Sequence, residues 1–127
     1  MACNCNEDRL VLSVKQGEDK SFAIDVKDRQ LNPVDLTGYT VEVNVKKYPL
    51  YKVDSLITKV FDTTPVDGSY IADAEDGEIV LKILASETIK LNPDFYYLII
   101  TLVNGNGNRT IISGEGDKSG VLKICNQ

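Results

Sequence analysis

The sequence contains no histidine and no tryptophan, and only three cysteines, four prolines and one methionine among its 127 residues. Without histidine, a general base would have to be an aspartate, glutamate, lysine or tyrosine, so the commonest catalytic base is excluded. An odd number of cysteines does not form a disulfide framework, and no fourth ligand accompanies them in the pattern of a structural zinc site. No apolar run approaches about 18 residues, so the sequence predicts no membrane-spanning helix.

The three cysteines lie near the two ends of the chain, at Cys3, Cys5 and Cys125. They are interpreted as reduced thiols of a cytoplasmic compartment, with a metal site as the alternative. A pairing of Cys125 with either N-terminal cysteine stays open. Residues 1–8 lack the basic and apolar regions of a signal peptide, and we expect them to form a flexible arm before a single domain over residues 9–127.

The composition is that of an ordinary folded domain, with 43% hydrophobic and 26% charged residues. A chain of this length can bury roughly two-thirds of its unfolded surface, so it needs no metal or disulfide to build a core. The formal net charge is −5. An acidic chain has no electrostatic footprint for nucleic acid or an anionic membrane, so we expect neither partner.

Short runs of alternating polar and apolar residues recur along the chain between turn residues. In the clearest run, Tyr39–Lys47, the odd positions are apolar and the even positions polar, which predicts a strand with one face on a core. A turn over Pro33–Gly38 delivers the chain into it, with Asp35 and Thr37 suited to bond their own backbone. The other predicted strands are Leu10–Val14, Ser21–Val26, Ser55–Phe61, Ser69–Asp73, Glu78–Leu84, Asp94–Val103, Arg109–Ser113 and Val121–Ile124.

One segment departs from the strand pattern. Ser86 can cap a single helical turn near residues 86–91, and Pro93 stops it, so we expect a short helix crossing between two sheets. The strand count and the turns between strands predict an all-β, immunoglobulin-like antiparallel β-sandwich of about seven or eight strands. The absence of a Cys–Trp–Cys pattern excludes an antibody-type domain.

Two polar segments invite a chemical interpretation. Carboxylates are densest between residues 67 and 78, at Asp67, Asp73, Glu75, Asp76 and Glu78. They could bind a hard cation or act as a catalytic pair, but they lack the spacing of an EF-hand loop, and we interpret them as a polar hairpin end. Asn104–Asn108 is predicted to be a hairpin loop, because neither a helix nor a phosphate-binding lysine follows it.

Tyr48, Leu50 and Tyr51 surround Pro49 in a predicted loop. Tyrosine offers a large contact area at low entropy cost, so the loop is a candidate contact surface, whereas the alternative is that its rings only cover the end of the sandwich. Together with Cys3 and Cys5 of the arm, these residues are the interface candidates. No catalytic, metal or cofactor-binding residue is predicted.

The order of the motifs is more specific than the strand count. A polar turn at Gln16–Asp19 is followed by Asp35-Leu36-Thr37-Gly38, then by the Gly77–Ile83 strand, Tyr96-Tyr97 and Gly114. This order resembles the small immunoglobulin-like domains of tailed bacteriophage virion proteins, such as the N-terminal domain of baseplate upper proteins and related head and tail accessory proteins. Baseplate upper proteins continue into further domains, whereas this sequence stops at Gln127, so decoration of a head or tail is an equal expectation.

The resemblance implies a virion component that is assembled in the bacterial cytoplasm, contacts other virion proteins or copies of itself, and catalyses nothing. Two alternatives come from other classes. One is a carbohydrate- or cell-surface-binding module, in which exposed aromatic rings would stack on sugars. The other is a small hydrolase that uses the carboxylates.

Overall fold

The structure is a computed structural model that describes residues 10–27, 32–48, 54–113 and 120–126. It contains nine strands and one short helix over these ranges. Their bounds are β1 Val11–Lys15, β2 Lys20–Asp25, β3 Thr40–Lys46, β4 Ile57–Phe61, β5 Tyr70–Asp73, β6 Glu78–Ile83, α1 Ala85–Thr88, β7 Asp94–Val103, β8 Arg109–Ser113 and β9 Gly120–Cys125.

The strands form two facing sheets, as an immunoglobulin-like sandwich requires. The larger sheet has the order β1-β9-β7-β3-β4, with β8 also paired to β7, and the smaller has the order β2-β6-β5. The predicted fold class is confirmed. Two details differ: β1 runs parallel to β9, and the described strands number nine rather than seven or eight, because each of the nine predicted segments forms a strand. β8 and β9 pair with opposite halves of the ten-residue β7.

The core lies between the sheets and is built by side chains of alternate residues. Val41, Val43 and Val45 of β3 are completely buried, as the sequence pattern predicts. From the same sheet, β7 adds Tyr96, Leu98, Ile100 and Leu102, and β1, β4 and β9 add Leu12, Val14, Ile57, Phe61, Leu122 and Ile124. From the smaller sheet come Ile24, Ile71, Ile79, Leu81 and Ile83.

The turn before β3 is fixed both locally and to the opposite sheet. The backbone N–H of Thr37 donates to Asp35 Oδ1 at 2.9 Å, and hydrogen bonding by Thr37 holds the pKa of that carboxyl below its usual range. Gly38 has φ +80°, which only glycine adopts readily. Leu36 is buried, and its N–H donates to the Ala74 carbonyl at 2.7 Å. The turn therefore docks on the β5–β6 hairpin.

Gly77 lies in the turn of that hairpin, at a position where the neighbouring backbone leaves no room for a side chain. Its φ is +72°, and a Cβ there would lie 2.6 Å from the Val34 carbonyl oxygen and 2.7 Å from that of Val26. Residues 74–77 form the turn between β5 and β6, so the hairpin end expected at the acidic residues is confirmed. Close approach of three backbone segments, rather than the turn alone, requires the glycine.

A tyrosine near the start of β7 ties that strand to the loop before it. Tyr96 is buried, and its hydroxyl donates to the Asn92 carbonyl at 2.7 Å. This arrangement is the tyrosine corner of immunoglobulin-like sandwiches. It fixes the angle at which the chain leaves α1 and enters the central strand.

We expect Tyr96→Phe to lower the free energy of unfolding by about 1 kcal/mol, because it deletes one hydrogen bond and leaves the packing intact. Urea denaturation measures the loss. Tyr97→Phe is the matched control, since the Tyr97 ring lies on the outer side of the same strand and is half-buried. An equal loss in both variants would contradict a specific role for Tyr96.

The helical turn forms where the sequence predicts it, but its start differs. The residue before α1 is Leu84, not Ser86, and the Leu84 N–H donates to Glu87 Oε1 at 2.9 Å. The Glu87 side chain, which belongs to the helix itself, accepts a hydrogen bond from an N–H group at the helix N-terminus, so no hydroxyl cap is needed. Among the described residues, no helix has the length and apolarity of a membrane span.

Lys59 is the exception to the apolar core. It occupies an inward position of β4 between Ile57 and Phe61 and is only 3% exposed. Its ammonium lies 2.7 Å from Glu87 Oε1, which makes an ion pair. The angles are not those of a hydrogen bond, so this buried ammonium has a charge partner without a hydrogen-bond acceptor in the described part of the chain. Such a group is stabilised only while its counter-charge stays in place.

Replacing the two partners of this pair should have unequal effects. Glu87→Gln keeps an acceptor for the Leu84 N–H but leaves the Lys59 charge buried and unpaired, so we expect a loss of about 3 kcal/mol. Lys59→Met removes the buried charge and leaves Glu87 partly hydrated, so stability should stay within about 1 kcal/mol of the parent or rise. Chemical denaturation of both variants decides, and a larger loss in Lys59→Met would contradict this assignment.

Candidate contact surface

The outer face of the larger sheet carries the most extensive exposed apolar surface of the described residues. On β7 the inward positions belong to the core, and the alternate positions, beginning with Phe95 and Tyr97, point away from it. Around them, large apolar side chains are about half or more exposed: Val11 by 55%, Tyr48 by 57%, Leu56 by 49% and Phe95 by 58%. A cluster of this kind marks an interaction surface more often than an isolated exposed side chain does.

The strand register places several of these side chains in one row. Val11 of β1 lies opposite Val121 of β9, Val121 lies opposite Tyr97 of β7, and Tyr97 lies opposite Lys46 of β3. Leu56 continues the row beyond β3, where its N–H donates to the Val45 carbonyl. With strands about 4.8 Å apart, five strands give a row of roughly 19 Å.

Two further aromatic residues lie beside this row, toward the end of the sheet where β7 begins. Lys47 is ion-paired with Asp94, which brings the neighbouring residues Tyr48 and Phe95 to the same end of the sheet. We call the set Val11, Tyr48, Leu56, Phe95, Tyr97 and Val121 the aromatic face. Four of its six residues, Val11, Phe95, Tyr97 and Val121, lie on paired strands, whereas Tyr48 follows β3 and Leu56 precedes β4.

The charges at this surface are lysines and paired carboxylates. Lys123 lies over the Phe95 ring, with Nζ 5.5 Å from its centroid. The hydrogen bond from Lys47 is the main reason that the pKa of Asp94 falls below its usual range, and the Phe95 N–H adds to it. The same bond raises the pKa of Lys47. This ion pair persists at neutral pH and is lost when acid protonates Asp94.

The structure places one of the predicted interface residues in this surface. Tyr48 belongs to the aromatic face, whereas Leu50, Tyr51, Cys3 and Cys5 lie outside the described residues. Cys125 lies on β9, is half-buried and forms no disulfide with any described residue. The prediction that residues 1–8 form an arm also concerns residues that the structure does not describe.

Sequence reasoning missed Phe95, Val11 and Leu56. The sequence predicts a strand over Asp94–Val103, but the near-continuous apolar character of this run hides that Phe95 is exposed. The signal was available in the polar residues just before Phe95: Asn92 and Asp94 mark a strand end, where an outward aromatic is not covered by a neighbouring strand. Val11 begins β1, and Leu56 immediately precedes β4.

The predicted acidic cluster forms only in part. Carboxylate oxygens of Asp73, Asp76 and Glu78 lie within 4.8 Å of one another and are exposed, a group that does not include Asp67 or Glu75. Glu78 faces Asp73 across the β5–β6 pair. On its other side it faces Asp25 of β2. Like charges directly opposite in a sheet are destabilising unless a cation lies between them.

The Glu78→Gln variant tests whether these carboxylates repel one another or hold a cation between them. If repulsion dominates, the variant should be more stable than the parent by about 0.5 kcal/mol at low salt, and the difference should shrink at high salt. Thermal unfolding with a chelator and with added Ca²⁺ gives the measurement. A parent melting temperature that rises with Ca²⁺, together with a Glu78→Gln variant that does not respond, would instead identify a cation site.

Comparison with known proteins adds little to this description. No protein-family model matches the chain, and no curated protein matches it. Among solved structures, it is similar to murine CRIg, with 13% identity, a TM-score of 0.37 and coverage of 92% of each chain. It is also similar to AggA, the major subunit of aggregative adherence fimbriae type I from Escherichia coli, with 12% identity, a TM-score of 0.34, and coverage of 93% of this chain and 90% of AggA.

Proposed function

We propose that this chain is a non-enzymatic structural protein that acts through protein–protein contacts, as a head, tail or baseplate component of a bacteriophage virion. The observation that carries the contact role is the aromatic face, because four large apolar side chains stay about half or more exposed on or beside one sheet. The virion assignment rests on the motif order from Gln16 to Gly114 and its resemblance to virion immunoglobulin-like domains.

The chemistry of the aromatic face suits a protein partner. Tyrosine and phenylalanine are enriched at the centres of protein interfaces, where they bury a large area with few rotatable bonds. Lys46 and Lys123 supply a polar rim of positive sign in a chain whose net charge is −5. A partner with an apolar patch bordered by carboxylates is complementary to this surface.

The test is incorporation into particles. Particles produced in the source host with a tagged copy of the chain are purified and probed by immunoblotting. We expect the parent to co-purify and a Tyr48→Ser, Phe95→Ser variant to be lost from the particles. Both side chains are more than half exposed, so the fold should survive their replacement.

The matched control is Ile89→Ser, which removes an exposed apolar side chain just after α1. It should be incorporated like the parent. Absence of the parent from purified particles would overturn the virion role. Normal incorporation of the double variant would overturn the use of the aromatic face while leaving the virion role in place.

A second candidate function is carbohydrate binding. The observation in its favour is the presence of two exposed rings, Tyr48 and Phe95, at one end of the larger sheet, where planar groups can stack on a sugar. A glycan array with the purified chain separates the two functions. Binding that is lost in the Tyr48→Ser, Phe95→Ser variant would favour the sugar-binding module.

A further inference from the structure

The sandwich presents several sheet edges, and an exposed edge is a template for pairing with another chain unless something blocks it. Among the described strands, β1, β4 and β8 lie at edges of the larger sheet, and β2 and β5 lie at the edges of the smaller one. Four of these five carry a recognisable obstacle to pairing.

On β1, two side chains form hydrogen bonds with backbone groups that point away from β9. Lys20 Nζ donates to the Ser13 carbonyl at 2.9 Å, and the Lys15 N–H donates to Glu18 Oε1 at 3.2 Å. On β5, which has four residues and a register irregularity, the Ile71 N–H donates to the Asp62 carbonyl. Both edges are therefore partly covered by the chain itself.

The other two obstacles are a buried charge and a bulge. On β4, the inward ammonium of Lys59 would resist any rearrangement that opened the strand, because it depends on Glu87. The β7–β8 pair shifts register between Ile100 and Thr101. Such a bulge twists an edge away from a straight incoming strand.

The remaining edge, β2, has none of these devices. Its six residues pair with β6 in an unbroken register and contain no proline. The Val26 N–H donates to Gly77, and the Lys82 N–H points the other way to Ser69 Oγ. By the alternation of an antiparallel ladder, the backbone N–H and C=O groups of Ser21, Ala23 and Asp25 therefore point outward, away from β6.

These outward groups are accessible. The side chains of Ser21, Ala23 and Asp25 are all exposed, and two of the three are small. No strand in the described part of the chain pairs with β2 on this side. The edge therefore offers three donors and three acceptors to an incoming strand.

The smaller sheet is also polarised in charge along its strands. At one end Asp25, Glu78 and Asp73 lie opposite one another across three strands. Toward the other end, Lys82 lies opposite Ser21 and Lys20 begins β2. Consider an incoming strand with the same order of charges as β2, basic at its start and acidic at its end. If it runs antiparallel to β2, its acidic end lies beside the basic end of β2, and its basic end lies beside the acidic end of β2.

We propose that β2 pairs with β2 of a second copy of this chain, antiparallel about a two-fold axis at Ala23, to join two smaller sheets into one of six strands. In this register Ser21 lies opposite the partner's Asp25 and Ala23 opposite the partner's Ala23. All six outward N–H groups of the two copies then donate to carbonyls across the axis.

The second copy is the occupant because its charges fit. Across the joined sheet the outer row contains Lys82 and Ser21 from one copy, followed by the partner's Asp25 and the partner's Glu78. Opposite charges thus approach across the axis, whereas a parallel alignment would place acid beside acid. Pairing through three outward residues of each copy is a small contact by the standard of stable interfaces, so we expect the dimer to depend on concentration. The proposed pairing does not involve the aromatic face, and it does not depend on the chain being a virion protein.

Sedimentation velocity of the whole chain over a range of concentrations, with a reducing agent to exclude disulfide-linked dimers, tests the pairing. The parent should shift from monomer to dimer. Ala23→Pro removes one outward N–H per copy and should raise the dimer dissociation constant by at least about tenfold. Ala23→Thr keeps the N–H and favours strand structure, so it should associate at least as well as the parent.

A charge exchange tests the orientation without risk to the fold. Asp25→Lys relieves the repulsion with Glu78 within each monomer, so the variant should fold well yet dimerise less, and adding Lys82→Glu should restore association. Hydrogen exchange should show the Ser21, Ala23 and Asp25 amides protected only at high concentration. A parent that stays monomeric up to millimolar concentration, or a dimer that Ala23→Pro leaves unchanged, would overturn the proposal.

Discussion

The structure depends on β7, because three other strands of the larger sheet pair with it. It pairs over residues 97–103 with β3 on one side and with β8 and β9 on the other. Its inward residues Tyr96, Leu98, Ile100 and Leu102 form the centre of the core, and burial of such side chains is the main favourable term in folding. The tyrosine corner fixes where the strand begins, and this start sets which residues face inward and which belong to the aromatic face.

The same alternation explains how one domain can present two different surfaces. An inward set on each sheet leaves an outward set that the core does not use. On the larger sheet the outward set includes exposed aromatic rings, whereas on the smaller sheet it has charged residues at both ends of the strands, with Val80 and Tyr70 between them, and an open backbone edge. Side-chain recognition and strand pairing are separate modes of contact, so a protein with both can bind two neighbours at once.

The sequence predicted the sandwich, the strands β3 and β7, the Asp35–Gly38 turn and the hairpin at Asn104–Asn108, because each has a local signal. It missed features that depend on distant residues. The period of two in β4 assigns Lys59 to an inward position, but no local rule indicates that Glu87 compensates it. The acidic residues were close in sequence, yet only the pairing of β2, β5 and β6 brings Asp25, Asp73 and Glu78 side by side.

The most direct test of this account compares two residues of β7 that lie three positions apart. Leu98 is fully buried and Phe95 is 58% exposed. Measured by urea denaturation, Leu98→Ala should lose about 3–4 kcal/mol of unfolding free energy in one cooperative transition, whereas Phe95→Ala should lose less than about 1 kcal/mol. Equal losses, or a larger loss for Phe95→Ala, would contradict the assignment of inward and outward faces on which the contact surfaces depend.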